Sequence, residues 1–567
     1  MCHSHSNPCR PATEEPFRYT RAETVRHLHD CRHPDRAPLS GRATAAQAGV
    51  PHTTLRYWQQ RQQQTNAPPA LSDWMESPEG LAFLKRLLLA LHLVFQQAGL
   101  AGLRPLCRFL ELAQLAPFVA ASYGTHQELA VVLQQLLDQY DQEQRRQLAV
   151  HMAPKTVSLC EDENFHGDQP CLVAIEPLSN FLVLETCQPQ RDADTWNAAV
   201  HSALEGLPVT VVQVTSDLAK GLQAHARDGL GAHHSPDLMH VQADLHKATS
   251  LPLRRQLETA EQKHRETQAT AQDWAQQYQR FQAGIRPPGR PPNFEQELRW
   301  ASQAVNYWEQ QVRVCQQRLE QRHEAVRGLG DDYHPFDTQT GQAVSAEQLQ
   351  QRLAQRFTTL EHLAAEAQLS EPCRDKIAKA KRVLPRLVAT LVWFWHSVQL
   401  LVDSLNLPPD QQQVVYEQLL PGLYWAGAAA RGRTAADQQR LRALAKGYLE
   451  RAWSPESALS RLGEGQKELV QRVCQEAVSR FVRSSSCVEG RNGQLSLYHH
   501  GSHALSAGKL KALTVLHNYF IERSDGSTAA ERFFGQKPAA LFEWLLARFP
   551  DPPRPAKQGR KSISVAS

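Results

Sequence analysis

The sequence predicts a mostly α-helical protein organised around one α/β core, a mixed sheet with flanking helices, which a large all-α insertion interrupts. Two observations favour this fold class. Between residues 151 and 250, short apolar runs are separated by Gly, Pro, Ser and Asn, which is typical of strands and turns. Elsewhere apolar residues mostly recur at spacings of three and four, which is typical of helices. A length of 567 residues and a hydrophobic content of 41% are sufficient for several domains.

Charge and cysteine usage limit the classes of function. The net charge is only +4, so any contact with nucleic acid has to use local basic patches. The 11 cysteines lack paired spacing and no signal peptide precedes them, which indicates free thiols in the reducing cytoplasm. The longest apolar run, near 388–401, is too short and too polar for a bilayer span, so we expect no membrane partner.

The N-terminal region predicts a helix-turn-helix DNA-binding domain. A first helix is expected over 21–30, and the four-residue spacing of Ala45 and Gly49 suits a tight turn between two further helices. The helix after that turn would present four side chains to the major groove of DNA: Thr53, Thr54, Arg56 and Tyr57. An ordinary helical hairpin accounts for the same spacing, so the DNA-binding role is an expectation.

The α/β segment predicts strands and helices in a recognisable order. Strands are expected over 156–162, 171–177 and 181–186, then a helix over 194–204, a strand over 208–215, a helix over 218–228 and a short fifth strand over 235–241. Three strands, a helix, a strand and a helix is the order of the ribonuclease-H-like fold. We therefore expect such a core to begin within 151–250.

The helical insertion contains two long apolar stripes with four-three spacing, over 253–281 and 294–319. Such seams predict two antiparallel helices of about 40 Å joined at a proline-rich turn. Phe281 should then lie near Phe294, and Leu257 near Leu319. At the tip, Arg286 and Arg290 would contact DNA phosphates.

The resulting domain prediction covers the whole chain. It comprises a disordered leader at 1–17, a helix-turn-helix domain at 18–66, a helical domain at 67–150, the first part of the core at 151–250, an all-α insertion at 251–480 with a coiled-coil hairpin at 253–325, the last part of the core at 481–545 and a basic tail at 546–567.

Three carboxylates are the candidate catalytic and metal-binding residues. Asp162 and Asp217 each end a predicted strand, and Glu489 lies on a late helix. Phosphodiester cleavage by two metal ions needs rigidly held carboxylates, because these are the hard oxygen ligands that Mg²⁺ prefers. Other interpretations stay open. Either Asp can be a turn residue, Glu163 can replace Asp162 as the ligand, and Glu489 can close a capping box with Ser486.

Several motifs resemble those of bacterial insertion-sequence DDE transposases. They are C-E-D-E-N-F at 160–165, the run at 175–185, S-P-D-L-M-H-V at 235–241, V-E-G-R-N at 488–492, H-N-Y at 517–519 and the run at 523–534. The resemblance covers about 155–250 and 480–540. Met239 departs from the family pattern, which usually has an aromatic residue there, but this exchange keeps the position apolar.

The resemblance implies a DNA transposase with Asp162, Asp217 and Glu489 as catalytic metal ligands. The implied cofactor is Mg²⁺, with Mn²⁺ as a substitute. The implied partners are double-stranded DNA, as element ends and target, and a second copy in a synaptic homodimer. The implied location is the bacterial cytoplasm and nucleoid. The neighbours of the active site would be Glu163, Asp237, His240 and Asn492.

Basic residues near Glu489 are further candidates for DNA contact. Arg491, Lys509 and Lys511 would bind phosphates, although a solvated helix face accounts for each of them equally well. Two other classes of protein compete with the transposase interpretation. One is a domesticated, non-catalytic DNA-binding protein or regulator, and the other is a helical scaffold whose acids are turn residues.

Overall fold

A computed structural model describes residues 20–30, 40–47, 49–63, 67–166, 169–286, 288–432, 434–502 and 505–555. The predicted leader at 1–17 and the end of the basic tail lie outside these residues. The chain forms two compact units, one of Met1–Met152 with Gln494–Ser567 and the other of Ala153–Gly493. The protein is mostly helical and contains one five-stranded sheet, as the composition of elements predicted.

The N-terminal part of the first unit is helical. Its helices are α1 (Arg21–Asp30), α2 (Gly41–Gln47), α3 (His52–Gln63), α4 (Pro69–Met75), α5 (Pro78–Ala90), α6 (Leu103–Leu112) and α7 (Tyr123–Val150), and a π-helical segment, Leu91–Ala98, continues α5. The run Pro78–Ala98 is apolar and long enough to cross a membrane by length and composition, but 44% of its window is buried inside the protein. The core helices of soluble proteins have the same composition, so this run is weak evidence for a membrane span.

Helices α1, α2 and α3 pack around a small apolar cluster at the predicted DNA-binding region. The cluster consists of Leu28, Ala45, Val50, Leu55 and Trp58. The turn between α2 and α3 passes through Gly49 with φ of +65°, a conformation that glycine adopts without strain. Thr53, Arg56 and Tyr57 on α3 are exposed and Thr54 is half-buried. DNA binding by this helix stays a prediction.

The second unit begins with the sheet. Its elements are β1 (Lys155–His166), β2 (Gln169–Glu176), β3 (Phe181–Cys187), α8 (Ala193–Leu204), β4 (Val209–Ser216), α9 (Lys220–Ala224) with a π-helical end His225–Gly229, and β5 (His233–Pro236). The strand order is β3-β2-β1-β4-β5. Neighbours β1 and β2, and β2 and β3, are antiparallel, whereas β4 is parallel to both β1 and β5.

Two details of the strand prediction were wrong. Strand β1 continues to His166, so Asp162 lies within the strand and not at its end. The predicted fifth strand at 235–241 stops at Pro236, because Asp237 caps a helix through a 2.7 Å hydrogen bond from the Met239 amide.

Two long helices form the predicted hairpin. They are α10 (Leu238–Gln282) and α11 (Phe294–Asp332). At 1.5 Å per residue they are about 68 and 58 Å long, longer than expected. The rings of Phe281 and Phe294 are 5.1 Å apart, as the antiparallel register requires, and near the other end Arg322 donates to Thr249 over 3.0 Å. The expected meeting of Leu257 and Leu319 stays a prediction.

The remaining helices of the second unit surround a large apolar core. They are α12 (Ala346–Glu366), α13 (Glu371–Lys381), α14 (Leu384–Asp403), α15 (Pro409–Val414), a π-helical segment Val415–Leu419, α16 (Leu420–Ala430), α17 (Ala435–Ala452), a 3₁₀ turn Ala458–Arg461 and α18 (Glu464–Ser479). Phe357, Phe394 and Trp425 are fully buried there, together with the base of the hairpin.

The C-terminal helices are α19 (Ser486–Ser502), α20 (Ala507–Tyr519), α21 (Ala529–Phe534) and α22 (Leu541–Arg548). The first unit includes the chain from Gln494 onward. Of the predicted last part of the core, 481–545, only the residues up to Gly493 therefore belong to the unit that contains the sheet. Helix α20 instead packs on α7, where Tyr519 meets Tyr140 edge to face at 5.3 Å.

Candidate functional site

Two of the predicted acids lie just beyond the paired part of two neighbouring parallel strands, Asp162 within β1 and Asp217 directly after β4. In the register of β1 and β4, Cys160 is opposite Thr215. Asp162 and Asp217 each lie two residues further along, so both backbones bring a carboxylate to the same edge of the sheet. The Asp217 Oδ1 atom accepts a 2.9 Å hydrogen bond from the Ala219 amide, which fixes the turn after β4.

Glu489 comes from the first turn of α19. The helix begins at Ser486, so Ser485 is the N-cap residue and Glu489 is the fourth helical residue. A capping box needs the Glu at the third helical position. In addition, the Ser485 hydroxyl donates to the Asp237 carboxylate. The capping-box interpretation of Glu489 is therefore not supported.

Asp162, His240 and Glu489 form a compact cluster. One ligand atom from each lies within 4.8 Å of the other two. The Nε2 atom of His240 is 3.8 Å from Oε1 of Glu489, too far for a hydrogen bond but close enough for both to share an ion. Asn492 lies three residues after Glu489 on the same helix face and donates to Asp162 Oδ2 over 3.1 Å.

Asp237 positions two of the elements that carry the site. Its side chain is almost completely buried at the N-terminus of α10. It accepts a 3.0 Å hydrogen bond from Nδ1 of His240, which leaves Nε2 facing the carboxylates. The same carboxylate oxygen accepts from the backbone amide of Ser485 over 3.2 Å. Asp237 therefore fixes His240 directly, and it fixes the start of α19 through Ser485. The sequence analysis did not single out Ser485.

The electrostatics of the cluster are those of acids held close together. Burial raises the pKa of Asp162 to about 6, and the nearby charges of Glu489 and Asp217 act in the same direction. The hydrogen bond to Asp237 raises the pKa of His240 to about 9, with support from Asp162 and Asp217. In the absence of a cation, His240 is thus the positive group beside the three acids.

Glu163, the alternative to Asp162, belongs to a different environment. Successive side chains of a strand point to opposite faces, so Glu163 does not share the face of Asp162. It accepts hydrogen bonds from Arg191 at 2.7 Å and from the indole nitrogen of Trp196 at 3.2 Å. Asp162 rather than Glu163 is therefore the member of the cluster.

The three basic residues expected to bind phosphates are engaged elsewhere. Arg491 is buried and makes two hydrogen bonds, of 2.7 and 2.6 Å, to Glu185 on β3. In the other unit, Lys509 donates to the carbonyls of the π-helical segment after α5, and Lys511 is 2.7 Å from the buried carboxylate of Asp141. These contacts stabilise the fold, and DNA binding by the three residues stays a prediction.

The oxygen atoms at the sheet edge could hold a divalent cation. Asp162 and Glu489 offer carboxylate oxygens within one cluster, and Asp217, outside that cluster of three, is close enough to raise the pKa of Asp162. The Oδ1 atom of Asn492 is buried and has no hydrogen-bond partner within the described part of the chain. Such a set of hard oxygen donors suits Mg²⁺ or Mn²⁺, and Nε2 of His240 adds one nitrogen donor.

Comparison with known proteins adds little about chemistry. A family of unknown function (DUF6399) matches residues 415–561, about a quarter of the chain. The matched segment contains Glu489 and Asn492 but neither Asp162 nor Asp217. No curated protein and no solved structure matches the chain. The arrangement of the site therefore carries the functional proposal.

Proposed function

We propose that the chain is a DNA transposase of the DDE type, which cuts DNA at the ends of a mobile element and joins the 3′-hydroxyl to target DNA. One observation carries the proposal. Asp162 on β1 lies within 4.8 Å of Glu489 from a distant helix, and Asp217, 55 positions after Asp162 and directly after the parallel strand β4, is close enough to raise the pKa of Asp162. Carboxylates held together in this way are what a metal-dependent nuclease uses to bind its ions.

The strand order supports the same proposal. A sheet ordered β3-β2-β1-β4-β5, with β1, β4 and β5 parallel, is the arrangement expected of a ribonuclease-H-like nuclease core. In that core the central strand and its parallel neighbour carry the first two acids at or near their ends, and here Asp162 lies on β1 and Asp217 directly follows β4. The helical block between β5 and α19 would then be an insertion that the core tolerates.

Each residue of the cluster has a role in this proposal. Asp162, Asp217 and Glu489 would hold Mg²⁺ or Mn²⁺, which supplies positive charge to the attacking and leaving oxygens when bound. Asn492 would orient the Asp162 carboxylate through its 3.1 Å hydrogen bond. His240, held by Asp237 through Nδ1, would present Nε2 to the bound metal and lose its proton on binding. The remaining partners would be double-stranded DNA and a second copy of the chain.

The test is Mg²⁺-dependent cleavage of duplexes that span the DNA flanking the gene. Asp162→Asn, Asp217→Asn and Glu489→Gln each keep the size of the side chain but remove its charge. We expect each to reduce cleavage by about 10²–10⁴-fold, because several kcal/mol of charge stabilisation are lost. Binding to the same duplexes should survive, as measured by gel shift.

Asp375→Asn is the matched control, because Asp375 is an exposed acid on α13 of the same unit. It should leave cleavage unchanged. Substantial cutting by any of the three site variants would remove that residue from the catalytic set. Specific DNA binding without cleavage by the unmodified chain would favour the non-catalytic regulator instead.

A further inference from the structure

The outer face of α11 carries a second stripe with four-three spacing. The seam that faces α10 uses other positions, such as Phe294, Ala301 and Cys315, which are buried. On the opposite side, eight consecutive positions of the repeat lack any charged residue. This outer stripe consists of Gln296, Trp300, Gln303, Tyr307, Gln310, Val314, Gln317 and Gln321.

The outer stripe is open to solvent in the single chain. Trp300 and Tyr307 are each 55% exposed although they are large aromatic residues, and they lie seven residues apart on one helix face. The glutamines of the stripe are exposed or half-buried. A continuous uncharged stripe with this spacing is what a helix presents to another helix, whereas an ordinary solvated helix face is rich in charge.

Charge argues against DNA as the occupant of this face. The two helices of the hairpin contain nearly equal numbers of basic and acidic residues. They therefore lack the positive electrostatic potential that binding to DNA phosphates requires. Only the tip, with exposed Arg286 and Arg290, is locally basic.

We propose that the outer stripe binds the same stripe of a second copy of the chain, as an antiparallel helix pair about a two-fold axis. In that pairing Trp300 packs against Gln317 of the partner subunit, and Gln303 against Val314 of the partner subunit. Tyr307 packs against Gln310 of the partner subunit, close to the axis. The contact is isologous, so one patch serves both copies.

The charged residues that flank the stripe fit this orientation. The antiparallel pair brings Arg299 to Glu320 of the partner subunit, and Glu297 to Arg318 of the partner subunit. The two-fold axis repeats both pairs, which gives four ion pairs across the interface. Arg318 also donates from Nη2 to the Glu366 carbonyl at 3.2 Å, which leaves its other nitrogens for the partner.

A parallel pairing is disfavoured by the same residues. In a parallel helix pair, a residue on one flank of the stripe faces a residue of the partner helix that lies on the other flank and about one turn further along. Arg313 would then face Arg318 of the partner subunit, and neither Arg299 nor Glu297 would gain an opposite charge. The sequence of the flanks therefore selects the antiparallel arrangement. This self-association does not depend on the proposed nuclease activity.

The first measurement is analytical ultracentrifugation of the full chain over a range of micromolar concentrations. We expect a reversible dimer, since glutamine-rich layers give modest affinity. Trp300→Glu should weaken it by about tenfold or more, because it places a charge within the stripe. Ser302→Glu is the matched control: Ser302 is exposed on the same helix but lies outside the stripe, so the dimer should persist.

The second measurement tests orientation by mixing two variants. In a dimer of either variant, Arg299→Glu or Glu320→Arg, both symmetry-related 299–320 contacts bring like charges together. Each variant alone should therefore dimerise about tenfold more weakly than the unmodified chain. An equimolar mixture should recover dimers, because each chain then offers the charge that the other lacks. Only the antiparallel pairing predicts this recovery.

Circular dichroism and thermal melting should be the same for all four variants, because every substituted residue is on the helix surface. The proposal is overturned if the unmodified chain stays monomeric throughout the range. It is also overturned if dimers form but neither Trp300→Glu nor the charge substitutions weaken them, or if the mixture fails to recover dimers.

Discussion

At the scale of single residues, the carboxylate of Asp162 is held in a place that disfavours its charge. Burial is the largest cause of its raised pKa, and Glu489 and Asp217 add like charge nearby. Asn492 and the Glu163 amide supply neutral hydrogen bonds, and His240 supplies positive charge. A bound divalent cation, as we propose, would offset this cost, because carboxylate oxygens are the ligands that such ions prefer.

Asp162→Asn should therefore stabilise the metal-free protein near neutral pH. In the folded state the pKa of Asp162 is about 6, above its ordinary 3.8, so ionisation costs stability increasingly as pH rises from 3.8 to 6. The variant removes that cost, which we expect to be about 1–3 kcal/mol. Thermal melting in a chelating buffer measures the change.

The same variant should lose its response to metal. With Mg²⁺ at about 100 times Kd, binding stabilises the unmodified protein by about 2.7 kcal/mol, and Asp162→Asn should show little of this gain. Asp375→Asn should respond like the unmodified protein. An equal rise in melting temperature for both variants would show that Asp162 is not a metal ligand.

The pairing of His240 with Asp237 should make stability depend on pH, because it favours the charged form of His240, whereas the surroundings of Asp162 disfavour its charged form. The pKa of His240 is about 9 in the fold and 6.5 ordinarily, so its pairing with Asp237 contributes stability in full below pH 6.5. That contribution is lost as pH rises through 9. Because the side chain is 37% exposed, we expect only about 1 kcal/mol after screening. In the metal-free protein, the free energy of unfolding in urea should fall less between these pH values for His240→Gln than for the unmodified chain. His151→Gln, at an exposed position, should leave this fall unchanged.

The residues of the cluster could be predicted from the sequence, but their supports could not. Asp162 follows from an apolar run and a motif resemblance, and His240 and Glu489 follow from the resemblance. The pairs Ser485–Asp237 and Arg491–Glu185 join residues 248 and 306 positions apart, and nothing in local spacing brings such positions together. Arg491 in particular has the same sequence context whether it lies on the surface or in a buried ion pair.

At the scale of elements, the position of α19 depends on a buried ion pair. Arg491 and Glu185 join α19 to β3, with only 4% and 0% of their side chains exposed. Because Glu489 lies two residues before Arg491 on the same helix, the Arg491–Glu185 ion pair also fixes the position of the Glu489 carboxylate in the cluster. The sequence predicted a DNA contact for Arg491 and did not predict this ion pair.

Arg491→Leu should destabilise the second unit by about 3–5 kcal/mol, because it leaves the Glu185 carboxylate buried without its partner. The double variant Glu185→Leu/Arg491→Leu should recover most of the loss, since it buries apolar groups of similar size. Urea unfolding of the three proteins measures this, with Arg472→Leu on the surface of α18 as control. A loss no larger than that of the control would contradict a structural role for Arg491.

Local patterns predicted the long elements better than the short ones. The four-three seams identified the hairpin, because an apolar stripe repeated over many turns is compatible with few structures besides a long packed helix. Its length was underestimated, because the buried ends of α10 and α11 mix polar residues such as Arg322 and Thr249 with apolar ones. The fifth strand was extended too far, although an Asp after a Pro is also an N-cap signal.

At the scale of the whole molecule, the division of the C-terminal region could not be read from the sequence. Helix α19 begins in the unit that contains the sheet, and the chain beyond Gly493 belongs to the other unit. A continuous helix gives no local sign of such a change. Lys511 meets Asp141 across 370 positions, which only the folded chain reveals.

The hairpin provides the last prediction, which concerns assembly. Its base is part of the large apolar core, through Leu253 and Val326, whereas its outer part contains Trp300 and Tyr307 of the outer stripe. The outer part can be removed without touching that core. Two packed helices are about 10 Å apart, so about four Gly/Ser residues can join the cut ends.

Replacing 265–310 with such a linker should leave a folded protein, with an unchanged melting temperature, that is monomeric and no longer cuts DNA. The physical reason is that cleavage needs two copies held together, and the deletion removes most of the surface proposed to hold them. Arg286→Ala/Arg290→Ala is the matched control, because it removes the basic tip but keeps the outer stripe. If this control also abolishes cleavage while remaining dimeric, the hairpin acts through DNA contact at its tip. A folded deletion variant that cuts normally would show that cleavage requires neither the hairpin nor the dimer that it forms.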